Sequence, residues 1–208
     1  MTQVTVDGVM QGNGGTTDED RRSGFERGGW AMGAGDGSTM TLINHTYARA
    51  DAFLFGRRTY ELFASFWGSG EQARAGAEDP GNNPIAASLN AKPKYLATTT
   101  LVNGRWADTT VLSGDVAAAI GELKATPAGE LQVHGSGNLV RWLFDNRLVD
   151  EIILLTYPVV IGQGTRLFPE TGPDTAFELV DSRSTPNGVT IQVYRPTGRP
   201  QYATAAPD

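Results

Sequence analysis

The chain has 208 residues and a formal net charge of −6, with 39% hydrophobic and 19% charged residues, which fits one globular domain. Because the chain is acidic and has no run of lysine and arginine, nucleic acid and anionic membranes are poor partners. Cysteine is absent, which excludes disulfides and thiolate metal sites, and the longest apolar runs are far below the roughly 20 residues that cross a bilayer. We therefore expect a soluble protein of the cytoplasm.

The first part of the chain alternates between strand and helix patterns. A strand is predicted at residues 3–6, and the nine glycines among residues 11–37 predict a long mobile loop. Ser38 is the expected N-cap of a helix over residues 38–50, since apolar residues recur there at helical spacing. A short buried strand is predicted at residues 52–55, and a second helix begins directly after it.

The middle of the chain continues the same alternation of strands and helices. The predicted elements are a loop at residues 68–82, a helix at residues 83–89 capped by Asn83, strands at residues 94–100 and Thr109–Leu112, and an alanine-rich helix capped by Asp115. Strands that alternate with helices in this way are typical of parallel sheets.

The last third of the chain contains two turns rich in glycine. A short strand at residues 131–134 breaks into the first turn, and an amphipathic helix starts at once. A buried strand that begins near Leu148 runs into the second turn, which contains Gly162 and Gly164.

The chain ends in a predicted hairpin. Its strands, residues 176–183 and 189–195, show alternating apolar residues on both sides of a Pro-Asn-Gly turn. The order of elements predicts an α/β domain over residues 1–196, with a mixed, mostly parallel sheet and a C-terminal antiparallel hairpin. Residues 197–208 are predicted to be a disordered tail.

Two strand-to-helix junctions have the residues of an anion site. At the first glycine turn, Gly135 and Gly137 let the backbone approach a ligand, and the free N–H groups of the new helix favour a phosphate. The dinucleotide fingerprint is incomplete, because Val140 stands where its third glycine would be, and the turn could also be purely structural. At the other junction, Arg57 and Arg58 supply guanidinium donors, although such a pair is more often a solvated surface feature.

Two further residues are candidates for the reacting region. Asp7 follows a strand end and could donate a proton to a substrate, or it could simply stabilise the Asp7-Gly8 turn. Trp30 lies in the glycine-rich segment, where it could close a substrate pocket or anchor the loop. His134 is interpreted as a packed residue, with a cofactor contact as the alternative. The two histidines have no carboxylate cluster near them, so no metal site is predicted.

The chain resembles the dihydrofolate-reductase-like superfamily, and within it the reductase domain of the bifunctional riboflavin-biosynthesis deaminase/reductase. The resemblance runs in consistent order from about residue 2 to residue 195. The matching residues are Val6-Asp7-Gly8-Val9, Gly29-Trp30, residues 50–61, Lys92-Pro93-Lys94-Tyr95, residues 133–137, Leu148-Val149-Asp150-Glu151 and residues 158–164.

This resemblance implies a three-layer α/β/α fold, usually a homodimer, and reduction of a small-molecule substrate by NADPH. By that analogy three groups of residues bind the cofactor: Gly56, Arg57, Arg58 and Thr59 at the adenosine-side phosphates; Gly135, Ser136, Gly137, Asn138 and Leu139 at the pyrophosphate; and Gly162 and Gly164 at the nicotinamide end.

The resemblance also implies a segment that selects between the two nicotinamide dinucleotides. Thr98, Thr99 and Thr100 stand where Ser-Arg-Thr often contacts the adenosine 2′-phosphate in the family. Without the arginine, a preference for NADPH depends on Arg57 or Arg58, and NADH stays open as the cofactor.

Several functions remain open at the level of sequence. The first is a reductase that acts on a small heterocyclic or sugar-linked compound such as 5-amino-6-(5-phosphoribosylamino)uracil. A dihydrofolate or pterin reductase is the nearer alternative, although the helix predicted at residues 38–50 has no acidic residue for a pterin. The third is a non-catalytic, dimeric dinucleotide-binding protein, since a fold does not establish a function.

Overall fold

The fold is described from a computed structural model that covers residues 1–68, 78–100, 104–126, 129–172 and 174–203. Most of the loop predicted at residues 68–82, and the end of the predicted tail at residues 204–208, lie outside these described residues. The elements are β1 (Thr2–Thr5), α1 (Asp18–Arg22), α2 (Trp30–Ala34), α3 (Gly37–Arg49), β2 (Ala50–Gly56), α4 (Arg57–Trp67), α5 (Pro84–Ala91), β3 (Lys94–Ala97), β4 (Thr109–Leu112), α6 (Val116–Ala125), β5 (Glu130–Val133), α7 (Gly137–Asp145), β6 (Ile152–Tyr157), β7 (Ala176–Ser184) and β8 (Thr190–Gly198).

The strands form two four-stranded sheets, in the orders β4-β3-β2-β5 and β1-β6-β8-β7. The first sheet is entirely parallel, and the second combines the parallel pair β1-β6 with an antiparallel C-terminal hairpin. The mostly parallel arrangement and the hairpin are therefore as predicted. The two sheets meet where the Met1 amino group donates a hydrogen bond to the Val133 carbonyl at 3.1 Å, since β5 ends level with the start of β1.

Helices cover both sides of the sheets, which gives the predicted three layers. On one side, α3, α4 and α5 pack on a large core that includes Tyr47, Phe53 and Leu155. On the other side, α6 and α7 cover two smaller cores, one around Leu143 and one around Phe144. In the first sheet all four strands point their carboxyl ends toward the same edge, where the candidate residues after β2 and β5 lie.

The prediction of a long mobile loop at residues 11–37 is wrong. This segment contains α1 and α2, and it buries Phe25 and Trp30 against the rest of the molecule. Hydrogen bonds hold Thr17 and Asp20 in a capping box at the start of α1. The glycines permit the turns between these short helices, whereas the buried aromatic rings fix their positions.

Helix starts follow the predictions with one exception. The side chains of Asn83 and Asp115 accept hydrogen bonds from the first turns of α5 and α6, as predicted. Helix α3 is capped by Asp36 instead of Ser38, because the Asp36 carboxylate accepts a hydrogen bond from the Thr39 backbone N–H at 2.9 Å. A charged cap two residues earlier therefore begins the helix at Gly37.

Two predicted strand ends also differ in the structure. Strand β3 ends at Ala97, so Thr98, Thr99 and Thr100 follow the strand. Strand β8 continues past the predicted domain end at residue 196, because β7 offers backbone partners as far as the pair Ala176 and Gly198.

Lys94 is a buried lysine at the start of β3. Its Nζ donates hydrogen bonds to the carbonyls of Leu89 at 2.8 Å and Lys92 at 2.6 Å, near the end of α5. The ammonium group also lies 5.1 Å from the ring centroid of Trp106. Burial lowers the pKa of Lys94 to about 8, although the negative charge of Asp108 opposes this change.

Candidate functional site

The structure brings the two predicted strand-to-helix junctions together. We call residues 56–59 the arginine junction and residues 135–139 the glycine junction. A methyl group added to Gly56 would lie 2.5 Å from Ser136 Oγ, and one added to Gly135 would lie 3.8 Å from Thr59 Cγ2. Strands β2 and β5 are neighbours in the parallel sheet, and their carboxyl ends place these junctions side by side. The cleft predicted from two separate sequence segments is thus one place in the fold.

The helices that start at these junctions have no side-chain caps. Helix α4 begins after Gly56 and helix α7 after Ser136, and neither N-cap residue makes a side-chain hydrogen bond to its helix. Side chains cap α1, α3, α5 and α6, and the short helix α2 also starts without a side-chain cap, after Gly29. Unpaired N–H groups and the positive ends of two adjacent helices favour an anion at this position.

Backbone geometry at the glycine junction also suits a close ligand. Gly135 has φ of 78° and Ser136 has φ of 66°, both in the left-handed region. A methyl group on Gly137 would lie 2.9 Å from Met10 Sδ, so a larger residue would crowd the junction. Asn138 pairs with Arg141 one turn later, and Leu139 is buried in the core.

Arg57 reaches from the arginine junction to the threonine segment after β3. Its Nε donates to Glu61 Oε1 at 3.0 Å, and its NH1 donates to Thr100 Oγ1 at 2.9 Å. The guanidinium is about half exposed and remains open to solvent. A permanent positive charge therefore stands beside Thr100, although the sequence has no arginine at residues 98–100.

Arg58 turns toward a different part of the molecule. Its NH2 group lies 3.1 Å from Asp20 Oδ1, and its Nε lies 3.4 Å from Glu19 Oε2. Two carboxylates from α1 therefore already neutralise Arg58. The two arginines, which are equivalent in the sequence, have distinct surroundings in the structure.

Asp7 is held as a carboxylate by hydrogen bonds. The Thr5 hydroxyl donates to Oδ1 at 2.6 Å, and the Gly162 N–H donates to Oδ2 at 2.8 Å. These bonds, that of Thr5 being the strongest, lower the pKa of Asp7 and outweigh the opposing effect of desolvation. This environment suits the stabilisation of a turn better than the donation of a proton, and the turn it fixes contains Gly162.

The glycine turn, residues 162–164, is covered by the segment that precedes α2. Arg27 NH1 donates a hydrogen bond to the Ile161 carbonyl. A methyl group on Gly164, whose φ is 102°, would lie 2.7 Å from a ring carbon of Phe25 and 3.0 Å from Val9. An added side chain at Gly164 would therefore clash with Phe25 and Val9, whereas one at Gly162 would meet only Arg27, at 3.6 Å.

Trp30 packs in the core and anchors its loop. This is the second of the two interpretations of Trp30 that the sequence left open. Only 9% of the residue is exposed, and its ring meets Tyr157 edge to face with centroids 5.4 Å apart. The indole N–H donates to the Gln11 carbonyl at 2.9 Å. These contacts place Trp30 beneath the 11–36 segment, and they do not favour a position in a substrate pocket.

His134 is buried against the glycine junction. Its ring stacks on Tyr47 with centroids 3.9 Å apart, and its Nε2 lies 2.7 Å from Gln132 Oε1, an acceptor that requires the ring nitrogen to donate. Burial, with a smaller contribution from the N-terminal amino group, holds the pKa of His134 well below 6.5. This is the packed histidine that the sequence suggested.

Sequence reasoning missed two residues that connect the loops of the site, Gln11 and Asp20. Asp20 is 4% exposed and accepts hydrogen bonds from Thr17, Gln11 and Arg58. The pattern from Thr17 to Asp20, a hydroxyl followed three residues later by an acid, is a signal of a capped helix that could have revealed α1. No sequence pattern indicates the contact with Arg58, because 38 positions separate the two residues.

The described part of the chain lacks two other kinds of feature. It contains no group of three or more histidine, cysteine or acidic side chains that could hold a metal ion. It also contains no helix that is long and apolar enough to cross a membrane.

Comparisons with known proteins agree with the resemblance seen in the sequence. Residues 1–191 match the family described as the RibD C-terminal domain. The uncharacterized protein YyaP of Bacillus subtilis (strain 168) is 26% identical over 196 residues, which are 94% of this chain and 92% of that protein.

Two solved structures share the fold. A protein from Shewanella sp. PV-4 named for riboflavin biosynthesis superposes with a TM-score of 0.67 and 18% identity, over 94% of this chain and 96% of that one. A pyrimidine reductase-like protein from Corynebacterium diphtheriae NCTC has a TM-score of 0.59 and 14% identity, over 94% and 89% of the two chains. The dihydrofolate-reductase-like fold predicted from sequence is confirmed. The chain belongs to the RibD C-terminal domain family, a family of riboflavin-pathway-type reductases.

Proposed function

We propose that this protein is an NADPH-dependent reductase and that the two adjacent junctions bind the phosphates of the dinucleotide. The observation that carries the proposal is the pair of uncapped helix starts, α4 and α7, whose junction residues Gly56 and Ser136 are in contact. Family membership supports a nicotinamide dinucleotide as the ligand, since this is the cofactor that the family implies.

The residues of the cleft fit such a cofactor. The backbone of Gly135, Ser136 and Gly137 would hold the pyrophosphate, and Leu139 would support the helix start from the core. Thr59 lies beside Gly135, and its hydroxyl would donate a hydrogen bond to a phosphate oxygen there. The charge of Arg57, which extends to Thr100, would meet the adenosine 2′-phosphate in place of the absent arginine.

When bound, the dinucleotide would supply a hydride, and the role of the chain would be to position the reactants and exclude water. Asp7 would contribute by fixing the glycine turn through the N–H groups of Gly162 and Ile161. Gly162 would then line the nicotinamide end. In this proposal Asp7 is a positioning residue, because its hydrogen bonds keep it ionised.

A small heterocyclic or sugar-linked compound of the riboflavin-pathway type is the substrate class that the family supports. The structure argues against the pterin alternative, because α3 contains no acidic residue and buries only Thr39, Ile43, Thr46 and Tyr47. The third alternative is a protein that binds the dinucleotide but catalyses no reaction. It differs from the proposed reductase only in having no catalytic turnover.

Titration with NADPH and with NADH, followed by quenching of tryptophan fluorescence, tests the proposal. Saturation at micromolar NADPH is the expected result, with weaker binding of NADH. The variants Ser136→Asp and Ser136→Asn form a matched pair, since both residues tolerate the left-handed backbone and differ in charge. The aspartate should weaken binding by tenfold or more through repulsion of the phosphate, and the asparagine should preserve it. If wild type binds neither dinucleotide, the proposed function is wrong.

We also propose that the protein is a homodimer that pairs through one face of its second sheet. The side chains on this face belong to thirteen strand positions, none of them charged: Thr2, Val4, Ile152, Leu154, Thr156, Phe177, Leu179, Ser182, Ser184, Thr190, Gln192, Tyr194 and Pro196. We call it the uncharged face. Helix α7 covers only part of it, and Leu179 remains 53% exposed.

Charge favours a second copy as the partner of the uncharged face. Each chain carries a net charge of −6, so the contact that costs two copies least is one whose meeting surfaces add no close pairs of like charges. The charged residues of the hairpin, among them Glu178, Arg183 and Arg195, lie on its opposite side. A two-fold contact through the uncharged face therefore brings no like charges together.

A further inference from the structure

Asp20 is a buried carboxylate at the centre of a hydrogen-bonded chain that crosses the site. It accepts hydrogen bonds from the Thr17 backbone and hydroxyl at 2.9 and 2.6 Å, from Gln11 Nε2 at 2.7 Å, and from Arg58 NH2 at 3.1 Å. Burial alone would raise its pKa, but these bonds and the charge of Arg58 prevail, so that the pKa of Asp20 is lowered. The group is therefore ionised and fully partnered.

Gln11 continues the chain to the glycine turn. While its Nε2 donates to Asp20, its Oε1 accepts from the backbone N–H of Thr165 at 2.9 Å and from the Thr165 hydroxyl at 3.1 Å. Its own carbonyl accepts the indole N–H of Trp30. Three side chains, Arg58, Asp20 and Gln11, thus connect the arginine junction to the residue that follows the glycine turn.

We propose that Asp20 and Gln11 are positioning residues that align Arg58 for the dinucleotide and fix the glycine turn at the opposite end of the same ligand. The inference rests on the proposed function. It concerns residues that neither the sequence motifs nor the family match singles out.

The surroundings of Arg58 support this assignment. Its side chain is 62% exposed, and an exposed ion pair such as the one with Glu19 at 3.4 Å contributes little order. Asp20 differs from Glu19 because its carboxylate is buried and accepts four hydrogen bonds. Three of them come from Thr17 and Gln11, and the fourth comes from Arg58. The guanidinium has five N–H donors, so binding to two carboxylates leaves donors for a phosphate.

A double-mutant cycle on NADPH affinity tests whether Asp20 acts through Arg58. Asp20→Asn and Arg58→Gln should each raise the dissociation constant about tenfold, the loss expected for one charge-assisted hydrogen bond. The double variant should bind no more weakly than Arg58→Gln alone, because the two residues act as one unit. If Asp20 had a purely structural role, the loss of NADPH affinity in the double variant would instead be the product of the losses in the two single variants.

Asp18→Asn is the matched control, since it makes the same change two residues away in a carboxylate that is 91% exposed and pairs with Arg21 in its own helix. Its NADPH affinity should equal that of wild type. Multiplying losses in the cycle, or an unchanged affinity of Asp20→Asn, would overturn the inference.

A second measurement needs no cofactor and separates this inference from the proposed function. Arg21, Arg22 and Arg27 are exposed trypsin sites in the segment that Asp20 holds. Asp20→Asn should be cleaved there several times faster than wild type and Asp18→Asn, with little change in the urea midpoint of global unfolding. If wild type binds no dinucleotide, the proposed function fails. Equal cleavage rates would show that the chain through Asp20 does not hold the segment.

Discussion

Arg57 and Arg58 are adjacent in sequence, yet their partners give them different tasks. Arg57 contacts Glu61 and Thr100 across the arginine junction, whereas Arg58 is held by α1. Arg57 contacts Thr100, in the segment that the resemblance to the family assigns to the 2′-phosphate. A guanidinium in this position is suited to a phosphate that NADPH has and NADH lacks.

We therefore predict that Arg57 selects between the two dinucleotides. Arg57→Gln should weaken NADPH binding about tenfold and leave NADH binding nearly unchanged, because one charge-assisted contact is worth about 1.5–3 kcal/mol. Arg58→Gln, by comparison, should weaken both ligands to a similar degree. Fluorescence titrations of both variants with both dinucleotides check this, and equal losses in Arg57→Gln would contradict it.

His134 should make the stability of the protein depend on pH. The folded state disfavours its protonation, so the unfolded chain binds the proton more readily. Stability is then lost as the pH falls below 6.5, by up to about 1.4 kcal/mol per pH unit. Urea unfolding at pH 7.5 and pH 5.5 measures this loss.

His134→Gln preserves a donor for Gln132 and should reduce the difference between the two pH values. The exposed His45→Gln serves as the control and should behave as wild type. An identical pH dependence in His134→Gln and wild type would show that another group is responsible.

At the scale of elements, sequence patterns predict the helix caps and strands that depend on neighbouring residues. Asn83 and Asp115 cap their helices, and Thr109–Leu112 is a strand, because these features depend on neighbouring residues. The prediction of a mobile loop at residues 11–37 is wrong, since the order of this segment comes from Phe25 and Trp30, whose burial depends on distant parts of the chain. The adjacency of the two junctions and the bonds of Asp20 are likewise tertiary. The first could be expected because open α/β sheets bind ligands beyond the carboxyl ends of their strands, whereas no sequence pattern indicates the second.

The glycine turn and the 11–36 segment should be coupled through Gly164. An alanine there would have a left-handed backbone and a methyl group 2.7 Å from Phe25, which costs about 1–3 kcal/mol. Gly164→Ala should therefore lower the urea midpoint and loosen the segment around Phe25. Gly172→Ala is the matched control, since no atom lies within 4 Å of the added methyl group. Equal midpoints for the two variants would disprove the coupling.

At the scale of the whole molecule, the three layers are present, but α7 covers only part of one face of the second sheet. Strands β1 and β6 are parallel, a pairing that proteins usually cover on both faces. Beside α7, however, a cavity of about 170 Å³ opens between Val4, Leu154 and Phe168. The alternation in the hairpin predicts Leu179 on the same face as Val193, but a register shift after Leu179 pairs it with Tyr194 and places Val193 opposite Asp181. The uncharged face therefore follows from the observed register and not from the sequence pattern.

We predict that Leu179→Asp converts a dimer into a monomer. Wild type should have twice the chain mass of 22.2 kDa by light scattering after size exclusion. The variant places a charge on each copy at the centre of the proposed contact, where the two would oppose each other. Leu62→Asp, which adds the same charge to an exposed position on α4, should remain dimeric. A monomeric wild type would rule out this interface.

The buried amine of Lys94 can be used to detect local opening of the core around it. Lys94 is one of three lysines in the sequence, and it is the one that solvent cannot reach while the bonds to the end of α5 persist. An acylating reagent for amines should therefore modify Lys92 and Lys124 in the native protein and reach Lys94 only when this part of the core opens. The rate of modification at Lys94 would then measure how often the fold opens at the end of the sheet opposite the two junctions. The rates at the other two lysines would serve as the internal reference.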